Sequence, residues 1–158
     1  MSDTSTEFRE AVTLHLERLS PALTSVLRQL ISHPYPPEVD HVDFEIFRDG
    51  FTDGFPVRAF FVDEENCEHF VYVDGEAQYP TNVDPGLLDI DEVYPPSFEE
   101  AAALRDPALD YMTEAGKALV PWFATCWRAA GGLAFPRPAY IGLHDDSARY
   151  DLTIGKWV

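Results

Sequence analysis

One stretch limits what this chain can become more than any other: Asp106 to Arg128. In it Leu109, Met112, Leu119, Trp122, Phe123, Cys126 and Trp127 recur at steps of mostly three, four and seven residues, the spacing of a buried helical stripe. Asp106 is placed to cap the start, Pro107 suits the first helical position, and Gly131-Gly132 ends the run, so the spacing predicts a helix over 107–130. Each buried aromatic removes roughly 150–250 Å² from water. Two indoles and a phenyl ring within Trp122–Trp127 therefore demand a sheet for this helix to cover.

The rest of the chain supplies one. Residues 1–32 read as a helical segment opened by a capping box at Thr4-Ser5-Thr6-Glu7, with Thr4 as the cap and Glu7 reaching back. Phe8, Val12, Leu16, Leu19, Leu23, Leu27 and Leu30 keep the helical step across Pro21, which implies either a kink or a second helix starting at Ser20-Pro21. His33-Pro34-Tyr35-Pro36-Pro37 breaks the run and reads as a linker to the sheet, with a proline-rich ligand segment as the lesser reading. Residues 42–74 follow as a three-strand meander. Val42, Phe44 and Ile46 alternate with polar residues, whereas Phe55–Val62 and Glu68–Val73 are apolar on both faces, the mark of central strands or of strands covered by a partner.

Residues 76–96 carry five prolines and glycines with Asp84, Asp89, Asp91 and Glu92 and no period, a long acidic loop of the kind that faces partners. A helical segment over 97–130 and a C-terminal hairpin over 139–157 complete the chain. In the hairpin, Tyr150, Leu152 and Ile154 are expected on one face, with Trp157 anchoring the end. At 158 residues the length suits one domain. The predicted fold is α+β: a mostly antiparallel five-stranded sheet packed by an N-terminal helix and the long helix, in the order α-β-β-β-α-β-β.

Charge narrows the function. The formal net charge is −17, and residues 36–114 hold 21 acids against Arg48, Arg58 and Arg105, a local balance of −18. Residues 115–158 hold three acids and five bases, or +2. Such a field repels nucleic acid and anionic membrane and speeds encounter with basic proteins. No apolar run approaches the roughly 20 residues that span a bilayer, and Met1-Ser-Asp-Thr-Ser-Thr lacks the form of a secretion signal, so a cytoplasmic location is expected. Cys67 and Cys126 are read as separate thiols, Cys126 in the core and Cys67 among acids that disfavour its thiolate.

Motifs for chemistry are sparse. His144-Asp145-Asp146, with Asp151 across the turn, is the nearest approach to a cation site, but alternate strand residues point apart, so a polar hairpin tip is the simpler reading and no metal is expected. His41 with Asp43, and His69 beside Glu68, have the makings of an oriented base, yet no nucleophile stands near them in sequence. There is no glycine-rich phosphate loop, nucleophile elbow or paired-cysteine site, so no cofactor is expected and the reading leans away from an enzyme.

The carboxylates remain. Asp63, Glu64, Glu65 and Glu68 crowd one hairpin loop, and Asp84, Asp89, Asp91 and Glu92 the long loop; either they form a solvated rim, or they repel one another until a basic partner relieves them. The leading expectation is an acidic, non-catalytic protein-binding module with these eight residues as partner-binding and Phe47, Tyr79 and Tyr94 as apolar contacts. In size, acidity and α+β character the chain resembles the bacterial immunity proteins that block toxic nucleases or other basic toxins. That resemblance extends to no motif and carries over no residue. The alternative is a small enzyme or ligand-binding domain with a pocket between sheet and helices lined by His69, Tyr72, Trp122 and His144. A third reading is a homo-oligomer joined through the doubly apolar strands.

Overall fold

The computed structural model describes residues 3–68, 72–73, 76–77 and 86–158. Its order is α1 (Thr4–Glu17), α2 (Ser20–Ser32), β1 (His41–Ile46), β2 (Val57–Val62), β3 (Tyr72–Val73), β4 (Glu76–Ala77), α3 (Pro96–Arg105), α4 (Tyr111–Ala129), β5 (Ala139–Leu143), β6 (Tyr150–Asp151) and β7 (Lys156–Trp157). The fold is α+β, with one five-stranded sheet in the order β2-β1-β5-β6-β7 and a separate pair β3-β4. All neighbours are antiparallel except β1 and β5. Parallel neighbours need a long crossover, and the excursion through α3 and α4 provides it.

α4 is the helix the sequence predicts, but it starts later. Asp110 caps it, its carboxylate accepting from the Thr113 backbone N–H at 3.2 Å and the Thr113 hydroxyl at 2.8 Å. Asp106 instead ends α3 and accepts from Ala108 N–H in the turn between, so neither Asp106 nor Pro107 begins the helix. The buried residues of α4 surround most of its circumference, from Ala115 through Trp127. A helix apolar nearly all round lies between layers. One side meets the sheet, with Phe123 and Trp127 against Phe44; the other sides meet α1 and α2. Lys117, Pro121, Thr125 and Arg128, three or four apart, form the stripe left exposed.

Proline at the start of α2 decides between kink and second helix: Pro21 occupies its first turn, where its missing N–H costs nothing, and α1 ends before it. Asp3, not Thr4, caps α1, accepting from Thr6 N–H at 2.7 Å, and Glu7 reaches to Arg105 of α3 instead of back to the cap. In β1 the alternation holds fully, with Val42, Phe44 and Ile46 buried and His41, Asp43 and Glu45 on the face away from the helices.

Four further expectations change. Of the strand read over 68–73, residues 69–71 lie outside the described residues; among the described ones Glu68 forms one bridge to Val62, Tyr72–Val73 pairs with Glu76–Ala77, and β7 is the fifth strand of the main sheet. The long loop is shorter than 76–96, because β4 begins it and α3 starts at Pro96. Among the described residues β2, apolar on both faces in sequence, is an edge strand and not a central one. At its Val57 end Leu87 N–H donates to Val57 O at 3.0 Å, and Leu87 and Leu88 are buried, while Phe60 on the other face of β2 is half-buried. At the C-terminal end Leu152 is buried, but Ile154 is 61% exposed and Trp157 51%, so the face expected to join Tyr150, Leu152 and Ile154 is broken by the turn before β7.

Candidate functional site

The acidic residues stand at the two ends of β2. Beyond Val62 the hairpin turn is built by Asp63, whose carboxylate accepts from the N–H groups of Glu65 and Cys67, both at 2.9 Å. Asp63 is therefore half-buried and occupied, while Glu64, Glu65 and Glu68 project into solvent. With Pro37 and Glu38 the residues Asp63, Glu64 and Glu65 line a shallow depression of about 400 Å³. At the other end, Val93 N–H donates to Phe51 O at 2.8 Å and holds the segment bearing Asp89, Asp91 and Glu92 against the turn that bears Asp49 and Asp53; all five are exposed. Asp84 lies outside the described residues. Val57 and Val62 are five strand steps apart, about 17 Å at roughly 3.3–3.4 Å per step. The carboxylates thus make two acidic ends along one sheet edge, not a single patch.

Several of the chain's cations are paired elsewhere. Arg9 is 3.1 Å from Glu114, Arg105 pairs with Glu7, and Arg149 spans Asp43 and Glu45, each at 3.1 Å. Arg137 donates to the carbonyls of Val39, Tyr35 and Pro36, and Arg18 to that of Val93. Among the described residues, Glu64, Glu65, Glu68, Asp89, Asp91 and Glu92 enter no ion pair. Of the aromatics expected to serve as contacts, Tyr94 is 1% exposed and belongs to the core, and Phe47 is half-buried, stacked on His144 and lying under Arg58. Tyr79 lies outside the described residues.

The sheet face away from the helices carries the remaining polar cluster. Arg149 lies across β5, its Nε donating to Asp43 and its Nη2 to Glu45, with Nη1 on the carbonyls of Leu143, Asp146 and Ala148. Gly142 makes room for it: a Cβ there would sit 2.5 Å from Ala148 O and 2.6 Å from Arg149 Nη1. Burial raises the pKa of Asp43, with the Arg149 guanidinium opposing that rise. His41 Nδ1 is 2.8 Å from the Asp40 carboxylate and His144 Nδ1 3.3 Å from Glu45. An imidazole oriented by a carboxylate has the geometry of a general base. Among the described residues, however, no hydroxyl or thiol is hydrogen-bonded to either ring.

Comparison with protein-family models, with curated proteins and with solved structures returned no match. Asp151, expected opposite His144, instead caps the turn after β6, accepting from Thr153 and Ile154 N–H. No group of three or more His, Cys, Asp or Glu among the described residues is placed to hold a metal ion. Trp122 and His144 do not share a pocket, since Trp122 donates to Ser20 Oγ on the helical side and His144 sits with Glu45 and Phe47 on the other face. His69 lies outside the described residues. No described helix is long and apolar enough to cross a membrane.

Sequence reasoning missed the arginine that organises the open face. Arg149 sits in a polar hairpin whose residues look solvated, and only the parallel pairing of β1 with β5 brings it over Asp43 and Glu45, which are about a hundred positions away.

Proposed function

We propose that this chain is an acidic, non-catalytic protein-binding module that docks a basic partner protein, in the manner of an immunity-type inhibitor. What supports the reading is that, among the described residues, Glu64, Glu65, Glu68, Asp89, Asp91 and Glu92 are exposed and enter no ion pair, while Arg9, Arg105 and Arg149 are paired with other acids. Like charges held close without counter-charges cost the free protein stability, and a basic surface placed along the β2 edge relieves that cost at both ends together. The field also steers encounter, which favours fast, salt-dependent association. Asp63 contributes by fixing the hairpin that presents Glu64, Glu65 and Glu68.

The test starts from affinity capture out of native cell extract at low and high salt, with the captured protein identified by mass spectrometry. Association is then followed by stopped flow. Substituting Glu64→Lys, Glu65→Lys and Glu68→Lys together is expected to slow association about tenfold or more at low salt, with the difference shrinking as salt rises. An on-rate unchanged at low salt overturns the reading. So does capture only of partners that are not basic.

A further inference from the structure

The opposite edge of the sheet differs in chemistry. Between α4 and the β6–β7 edge lies a cleft of about 410 Å³, lined by Lys117, Val120, Pro121, Tyr150 and Trp157. Its size falls in the range of small-molecule sites, roughly 300–1,000 Å³. Trp157 leaves 51% of its surface exposed, an unusual exposure for an indole, and packs edge-on to Tyr150 with ring centroids 5.6 Å apart. Val120 and Pro121 close the apolar wall.

Among the described residues, the one charged side chain that lines this cleft is Lys117; Lys156, next to Trp157 in β7, belongs to the other face of that strand, opposite Asp151. Arg128 Nη2 and the Tyr150 hydroxyl each lie 3.7 Å from where a Cβ on Gly155 would stand, which places the guanidinium beside the aromatic pair. Lys117 shares Glu114 with Arg9: its Nζ is 3.7 Å from one carboxylate oxygen, and the other oxygen is held more closely by Arg9 at 3.1 Å.

We propose that this cleft binds a small planar aromatic anion, with the ring against Trp157 and Tyr150 and the acidic group at Lys117. An exposed indole and phenol ring favour a flat apolar partner. An indole face also attracts cations, but Lys117 on the rim and Arg128 beside Tyr150 repel one, and a bare inorganic anion gains nothing from the apolar walls. This site lies at the sheet edge opposite β2 and does not depend on the acidic ends.

The probe is 2-naphthoate, compared with the neutral isostere 2-naphthamide, by titration calorimetry and by the NMR signal of the Trp157 indole N–H. Trp122 and Trp127 are buried, so the exposed indole reports separately. Saturable binding of 2-naphthoate at least about tenfold tighter than 2-naphthamide is expected, with a shift of the Trp157 signal. Lys117→Glu is expected to remove about tenfold of the affinity for 2-naphthoate while leaving that for 2-naphthamide unchanged, and Trp157→Ala to abolish both. Lys117 and Trp157 are exposed, so neither change threatens the fold, and circular-dichroism melting verifies this. Absence of saturable binding, equal affinity for the two probes, or 2-naphthoate binding that survives Lys117→Glu overturns the proposal.

Discussion

Gly131 and Gly132 stand side by side after α4 and are required for different reasons. Gly131 has φ +93° with nothing within 4 Å of an added Cβ, so its constraint is purely conformational. Gly132 would place a Cβ 2.2 Å from Trp127 Nε1, against an indole fixed in the core. Gly131→Ala is therefore expected to cost about 1–2 kcal/mol, the penalty of a side chain in the left-handed region, with Gly131→Asn costing less. Gly132→Ala is expected to cost about 1–3 kcal/mol or more from overpacking, and asparagine gives no relief there. Urea denaturation of the variants separates the two causes. His33 supplies a second test. Burial lowers its pKa from the usual 6.5, its Nε2 has no hydrogen-bond partner, and Tyr35 packs against its ring. The unfolded chain then binds a proton more readily than the folded one. This contribution to stability is intact above the usual value and is lost as pH falls through it toward the folded value. His33→Phe is expected to flatten the decline of stability between about pH 7 and 5; an unchanged slope would place the acid sensitivity elsewhere, with His15 next, whose pKa is lowered by burial and then by Arg18.

At the scale of elements, α4 shows how a correct reading acquires a wrong boundary. Asp106-Pro107 satisfies every local rule for a helix start, yet its carboxylate is taken by Ala108 N–H in a turn, and Asp110 with Thr113 makes the better cap four residues on. Local rules rank the two sites alike; the length of the turn between α3 and α4 chooses. Asp110→Ala is expected to cost about 1 kcal/mol, or about 2–4 °C in Tm for a chain of this size, and Asp106→Ala less. Hydrogen bonds from Thr113 lower the Asp110 pKa, so the cap's contribution is present above the ordinary carboxylate range and is lost as pH falls through the folded value. Thermal melts at neutral pH and below about pH 3 check both statements. β2 teaches the converse lesson. Its Val57, Ala59 and Phe61 face is buried, but Phe60 on the other face is half-buried, and among the described residues irregular chain at Leu87, not a neighbouring strand, meets its Val57 end.

Across the whole molecule, exposed carboxylates gather at both ends of β2, while the cleft by β7 is lined by Lys117 and aromatic rings. Self-repulsion among the acids predicts that Tm rises as salt is added, because screening shortens the reach of each charge to about 10 Å at 0.1 M. The combined change Glu64→Lys, Glu65→Lys and Glu68→Lys is expected to raise Tm at low salt and to shrink the rise on adding salt. A scan of both proteins over ionic strength decides, and a Tm insensitive to salt in the unaltered chain refutes the idea of uncompensated charge. By itself the sequence determined the α+β class, the helical core of aromatics, the alternation of β1 and the excess of acid in the middle half, because each depends on spacing along the chain. Only the tertiary structure decided that β2 is an edge among the described residues, that the acids divide into two ends, that Arg149 bridges Asp43 and Glu45, and that Trp157 lines a cleft beside Lys117. Those facts depend on which distant strands become neighbours, and a mostly local pattern of burial is compatible with several such pairings until packing selects one.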